Sequence, residues 1–242
     1  MIRCVGVRKQ FRQGNRFVEA LRGADLSIEG PGFHAIMGPS GSGKSTMLHL
    51  FAGLDWPDAG EIHIDGKRID ALDDRALTRY RRHDIGVVFQ QFNLIPTLTA
   101  RENVELPGLL ASEPRDDRRA RSMDLLSQLD LADRADHRPD ALSGGEQQRV
   151  AIARGLFFAP SVLFADEPTG NLDTASSDAL WRLLRKIAVE QQMSVVMVTH
   201  EPEAAAHCMS VHVLRDGVVV ERFTTEGLDG SGVADRYRLA SG

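Results

Sequence analysis

Three groups of residues in this sequence have the types and spacing for phosphate chemistry. Gly38-Pro39-Ser40-Gly41-Ser42-Gly43-Lys44-Ser45-Thr46 fits the G-x-x-x-x-G-K-[ST] pattern of a phosphate-binding loop. Gly41 and Gly43 let the backbone curl into a nest of N–H donors, and Lys44 brings a full positive charge to the outer phosphates. The Ser45 hydroxyl can reach Mg²⁺. The second group is Asp166-Glu167: one carboxylate can hold Mg²⁺ through water, and its neighbour can orient and deprotonate an attacking water. The third is Leu142-Ser143-Gly144-Gly145-Glu146-Gln147-Gln148-Arg149. Ser143 and Glu146 have the spacing of a capping box, so a helix starts there. Two glycines inside a cap are costly for capping alone, but they suit a phosphate that must approach the backbone closely.

Each group also has a bland reading: a glycine-rich turn, a pair of surface acids, a plain helix start. The elements around them decide. Phe33 to Met37 is a short apolar strand leading into the loop, and Met47, Leu48, Leu50 and Phe51 follow at helical spacing until Gly53. Val162 to Ala165 is an unbroken apolar strand that delivers Asp166. Ile85 to Phe89 is another, delivering Gln90 and Gln91, and Ser194 to Thr199 ends at His200. Asp178 to Gln192 forms an amphipathic helix through Leu180, Leu183, Leu184 and Ile187. Strands alternating with helices imply a mostly parallel sheet. Ligands gather at the C-terminal strand ends of such sheets, where Gly38, Gln90, Asp166 and His200 all fall.

Residues 1–30 read as antiparallel strands, Ile2 to Val7 and Phe17 to Ile28, with Gln13-Gly14-Asn15 as the turn. Phe11, just before that turn, is either a stacking surface for a flat base or a partly buried strand-end residue. Glu61 to Gly66 alternates and ends in Asp-Gly, and Asp74 to Arg82 is a short helix with a basic end. From Phe92 to Ala141, four prolines (Pro96, Pro107, Pro114, Pro139) punctuate a helical insertion. Its charged run Arg115 to Arg121 reads as a solvated face, and Met123, Leu125, Leu126 and Leu129 as an apolar stripe.

Composition narrows the partners. With 242 residues, 42% hydrophobic and 26% charged, the chain is an ordinary globular protein with room for a sizeable core. A formal net charge of −5 lacks the basic surplus of a nucleic-acid reader, so no nucleic acid is expected. Cys4 and Cys208 stand far apart, which suits a reducing compartment and shows no zinc pattern. Neither a secretion signal nor a run of about 18 apolar residues is present, so any membrane role must come through a partner.

Together these residues resemble the ATP-binding cassette (ABC) ATPases, over nearly the whole chain, and Leu142 to Gly145 matches the family's most specific motif. Gly38 to Thr46 resembles Walker A, Val162 to Glu167 Walker B, Gln90 the Q-loop glutamine (with Gln91 as rival), Asn171-Leu172-Asp173 the D-loop and His200 the switch histidine. Phe11 then resembles the aromatic that stacks on adenine. The resemblance implies an α/β P-loop NTPase fold: a RecA-like, mostly parallel core with an N-terminal antiparallel β subdomain and an inserted α-helical subdomain. The division would be 1–90 and 155–242 as core, 91–154 as the helical subdomain carrying the signature. It implies ATP and Mg²⁺ as cofactors, with Glu167, His200 and Gln90 catalytic and Ser45, Gln90 and Asp166 at the metal. Phe11, Gly38 to Thr46, Ser143, Gly144, Gly145 and Asp173 would bind the nucleotide.

A head-to-tail homodimer is also implied, with each ATP lying on Walker A of one subunit and under Ser143-Gly144-Gly145 of the other. So is an integral membrane permease as partner, holding the chain at the cytoplasmic face of the membrane. Gly170-Asn171 is typical of relatives that serve lipoprotein release, macrolide export and cell division, which points to export or extraction of a lipophilic or peptide-like cargo. Two other settings share the motifs: a soluble ATPase of DNA repair or translation, and a nucleotide-gated signalling ATPase of cell division. The absence of a long coiled-coil insertion and of a basic surplus counts against the former.

Overall fold

The computed structural model describes residues 1–14 and 16–241; Asn15, the last residue of the expected turn, lies outside them. Strands β1 (Ile2–Gln13) and β2 (Arg16–Ile28) form a long antiparallel ribbon, and β1 runs well past Val7 because β2 pairs with it as far as Gln13. Ile2 and Cys4 point inward while Arg3 and Val5 face out, the period-2 pattern of a sheet covered on one side, and a register shift between Cys4 and Val7 turns Val7 inward as well. β3 (Gly32–Met37) leads through the phosphate loop into α1 (Lys44–Phe51). β4 (Ala59–Ile64) returns to pair with β1, then turns through Asp65 and Gly66, both at positive φ, into the two-residue β5 (Lys67–Arg68). α2 (Asp74–His83) begins at an Asp73 cap and ends in Arg81, Arg82 and His83, charges that complement its dipole. β6 (Ile85–Val88) follows.

The helical region comprises α3 (Ala100–Leu110), α4 (Arg115–Gln128) and α5 (Gly144–Gly155). Pro107 is accommodated inside α3 rather than ending it. The charged run on α4 is not uniformly solvated: Arg121 donates to the Leu156 and Phe157 carbonyls, which lie at the C-terminal end of α5 and lack helical partners. The chain then returns through β7 (Val162–Asp166), α6 (Thr174–Glu190), β8 (Ser194–Thr199), α7 (Pro202–Ala206), β9 (Ser210–Arg215), β10 (Val218–Thr224) and α8 (Gly230–Ser241). α6 starts four residues earlier than its apolar pattern predicts, because Asp173 caps it by accepting from the Ser176 N–H.

Two sheets result. The small one has the order β2-β1-β4-β5, and the large one β10-β9-β3-β8-β7-β6, parallel except for the β10 edge. Every residue of β3 and β8 is buried, as expected of parallel strands covered on both faces. On one face, Ile36, Phe164, Val196 and Val198 pack with the ribbon, α1 and α2. On the other, Phe33, Ala35, Met37, Leu163 and Val195 pack with α6, and this core continues into Val104, Leu125 and Leu126 of the helical region. Each fully buried aliphatic or aromatic side chain contributes roughly 1.5–3 kcal/mol relative to exposure.

Candidate nucleotide site

β3 aims the phosphate loop at the C-terminal edge of the large sheet. The loop is clamped between strands: a Cβ added at Gly38 would lie 2.2 Å from the Leu214 carbonyl, and one at Gly43 would lie 2.3 Å from the Ala20 carbonyl. Gly43 also holds φ 103°, a conformation only glycine adopts without strain. Lys44 is only 5% exposed, and its ammonium folds back on the Pro39 carbonyl at 3.0 Å, ready to exchange that partner for a phosphate oxygen. Burial lowers its pKa, and the charges of Glu167 and Asp166 oppose that shift.

β7 delivers the acids. The Ser45 hydroxyl donates to Asp166 Oδ1 at 3.0 Å, and His49 Nε2, one helical turn further along α1, lies 3.9 Å from Asp166 Oδ2. Burial raises the Asp166 pKa and the Glu167 charge adds to the rise, while the Ser45 hydrogen bond, His49 and Lys44 oppose it. Glu167 has φ 44°, a left-handed conformation costing of order 1–3 kcal/mol in a non-glycine residue. Its N–H still bonds the Val198 carbonyl at 3.0 Å, and its carboxylate Oε1 stands 3.1 Å from His200 Nδ1 at the end of β8. Gly38 to Gly41, Gly43 to Thr46, Glu167, His200 and Tyr237 wall one cavity of about 530 Å³. A basic side chain, a nest of loop N–H groups, the Glu167 carboxylate and an imidazole thus face one volume fit for a polyphosphate, with Asp166 held beside it by Ser45.

Several expected residues lie elsewhere. The Ser42 side chain is 3% exposed and turned under the loop beside Gly38, and its backbone N–H donates to the Pro39 carbonyl at 3.2 Å, so Ser42 does not wall the cavity. Gln90 lies against Gly170, where a Cβ would come 2.5 Å from its Nε2, and its carbonyl accepts from Asn171 Nδ2 at 2.8 Å. Gly170-Asn171 therefore has a physical role here: the pair seats the residue after β6. Phe11 is 43% exposed, opposite Val18 in the ribbon, with the Lys9 ammonium 5.2 Å from its ring centroid. Asp173 is occupied in capping α6.

Ser143, Gly144 and Gly145 open α5 away from the cavity. The capping box is complete: Ser143 Oγ accepts from the Glu146 N–H at 3.3 Å, and Glu146 Oε2 accepts from the Ser143 N–H at 2.7 Å. A Cβ on Gly145 would meet only Ser176 at 3.6 Å, ordinary contact, and one on Gly144 would press the flexible end of Leu172 at 3.2 Å. The fold does not demand glycine at position 145, and at 144 only the end of the Leu172 side chain would have to give way. No motif marks Tyr237, which reaches the cavity wall from α8. The sequence signal for His49 is its i+4 relation to Ser45 on α1.

An ABC transporter family profile matches residues 21–170. The sequence is 45% identical over 236 residues to an uncharacterized ABC transporter ATP-binding protein of Methanocaldococcus jannaschii, MJ0796, covering 95% of this chain and 99% of that one. It is 46% identical over 215 residues to a lipoprotein-releasing system ATP-binding protein, LolD 2, of Rhodopseudomonas palustris, covering 89% and 93%. The solved dimeric structure of MJ0796 in a post-hydrolysis state, bound to ADP and Pi, superposes with a TM-score of 0.85 at 43% identity, covering 93% of this chain and 99% of that one. Agreement of this extent in sequence and in fold makes the chain an ATP-binding, ATP-hydrolysing member of the ABC transporter family.

Proposed function

We propose that the chain hydrolyses ATP at a site closed by a second copy of itself and passes the resulting motion to an integral membrane permease. One observation carries this reading: the α5 N-terminus is fully built, an added Cβ at its two glycines would meet no backbone closer than 3.6 Å, and among the described residues the phosphate cavity is walled without it. A partner's helix of this kind presents free N–H groups and a positive dipole end to the γ-phosphate. The MJ0796 dimer and the LolD relative support the setting.

In this reading the loop N–H groups and Lys44 hold the phosphates, and Phe11 stacks on adenine. Glu167 accepts a proton from the water that attacks the γ-phosphorus, while the bond to the ADP oxygen breaks. His200 orients that water and the γ-phosphate through its contact with Glu167. The Ser45 hydroxyl and Asp166, 3.0 Å apart, give an oxygen pair that fits Mg²⁺, and Gln90, which lies against Gly170, would be the third oxygen donor. Asp166, its pKa raised by burial and by a neighbouring carboxylate, gains from a cation. When bound, Mg²⁺ neutralises charge building up on the phosphates. Asp173 would bridge to the second copy.

No helix among the described residues is long and apolar enough to cross a membrane. In this reading the permease partner holds the ATPase at the cytoplasmic face of the membrane. Its docking place is the cleft between core and helical region, though not through Leu94, which packs against the core. A groove of about 470 Å³ lined by Leu54, Val87, Phe89, Leu106, Leu110 and Phe158 offers the apolar surface instead. The chain is then a transporter subunit for export or extraction of a lipophilic or peptide-like cargo, with residues 91–154 as a helical subdomain. Ser143→Arg should abolish turnover while ATP binding persists, and Lys44→Ala should lose ATP binding. Mixing the two should restore activity, because one of the two sites in a mixed dimer is free of both lesions. Full turnover by Ser143→Arg as a monomer would overturn the reading.

A further inference from the structure

The nucleotide cavity has one wall that no phosphate-binding motif accounts for. Tyr237 of α8 shares it with the phosphate loop, Glu167 and His200. The placement is anchored at several points. Val233 is fully buried, and Tyr237 and Ala240, four and seven residues further on, pack on the same core, so one helix face is turned inward. Arg236 pairs with Glu221 of β10 at 3.2 Å, and its guanidinium lies 5.6 Å from the Phe223 ring centroid. At the other end, Gly230 packs against Glu203 of α7, the helix that begins two residues after His200. α8 is thus tied to the helix that follows His200. The Tyr237 hydroxyl has no hydrogen-bond partner among the described residues, although a phenol at the edge of a core normally finds one.

We infer that Tyr237 is a further nucleotide-contacting residue, whose hydroxyl donates a hydrogen bond to the terminal phosphate of ATP. The inference rests on the proposed ATP site. The end of the cavity that holds Glu167 and His200 is where the attacking water and γ-phosphate must lie, and Tyr237 shares that volume. A phenol donates there without adding charge, whereas a second lysine would compete with Lys44 for the carboxylates. A hydrogen bond to a charged oxygen is strong enough to show as about tenfold in affinity.

The test compares the full-length wild-type chain with Tyr237→Phe, which keeps the ring and its packing but removes the donor. Leu239→Ala, at an 81% exposed position of the same helix, serves as control. Each is titrated with AMPPNP and with ADP, both with Mg²⁺, by displacement of a fluorescent ADP, alongside thermal melting and steady-state hydrolysis. The expected result for Tyr237→Phe is about tenfold weaker AMPPNP binding, unchanged ADP binding and an unchanged melting temperature. Leu239→Ala should match wild type throughout. Equal loss for both nucleotides, or no loss for either, would overturn the inference alone. Failure of the wild-type chain to bind AMPPNP would overturn the ATP site and this inference with it.

Discussion

Glycines 38 and 43 and glycines 144 and 145 belong to the two halves of the proposed composite site, yet they are glycine for different reasons. In the phosphate loop a Cβ would strike a backbone carbonyl of the same chain at 2.2–2.3 Å, so the fold itself excludes any other residue. At the α5 N-terminus the nearest atoms to an added Cβ are 3.2 and 3.6 Å away and belong to side chains. The loop half is complete within one chain, where Lys44, Ser45, Asp166, Glu167 and His200 converge. The α5 half is a finished helix start with nothing of its own chain to bind. A glycine without an internal reason marks a surface shaped for something that arrives from outside.

The largest effect should come from the complete half. Glu167→Gln keeps the shape but cannot accept a proton, and hydrolysis should fall roughly 10²–10⁴-fold while ATP binding persists, read by phosphate release and by equilibrium titration. Near wild-type turnover would move the base to another residue and leave the convergence at β7 and β8 without a purpose.

The glycines themselves test the contrast more sharply. Gly38→Ala should destabilise the chain by about 1–3 kcal/mol and impair nucleotide binding, since a backbone carbonyl must move. Gly145→Ala should leave the denaturation midpoint within about 0.5 kcal/mol of wild type and nucleotide binding unchanged. Its turnover should nonetheless fall about tenfold, the scale of one hydrogen bond to a charged oxygen. Equal destabilisation by both substitutions would remove the distinction.

A smaller effect concerns the strand that feeds the loop. His34 on β3 and His212 on β9 share one face of the large sheet, with His34 Nδ1 2.9 Å from Ser210 Oγ and both Nε2 atoms buried without partners. Burial pushes both from an ordinary 6.5 to about 4, with the nearby Arg222 charge adding to the shift. Between those values the unfolded chain binds more protons than the folded one, so stability rises with pH across this window and is lost as pH falls through it. Going from pH 7 to 5 should cost at most about 2 kcal/mol per histidine, measured as a fall in urea midpoint. His212→Leu should flatten that dependence; an unchanged slope would place the acid sensitivity elsewhere.

Much of the site was legible in the sequence because its signals are local. The phosphate loop, the strand before Asp166 and the capping box each span fewer than ten residues, and their apolar flanks announce strand or helix. What stayed hidden depends on contacts between distant segments. Phe11 to Gln13 lie in β1 only because β2 pairs with them. Leu94 has no periodic place in a helix or strand, yet it packs on the core. Arg121 looks solvated in a charged run but caps the end of α5. Gly170-Asn171 is only an association in sequence, and becomes a seat for Gln90 once the two strand ends are adjacent. Tyr237 has no periodic or motif signal, since its position is set by Val233 and by the helix that follows His200.

The central claim is that the α5 N-terminus of one copy completes the phosphate site of another. It is tested most directly by light scattering on Glu167→Gln with saturating Mg²⁺ and ATP, beside the same variant carrying Ser143→Arg. The account predicts that ATP shifts Glu167→Gln from the mass of one chain to that of two, while the double variant binds ATP and keeps the mass of one. A Glu167→Gln chain that remains single at full ATP occupancy, or a double variant that pairs as readily, would contradict it.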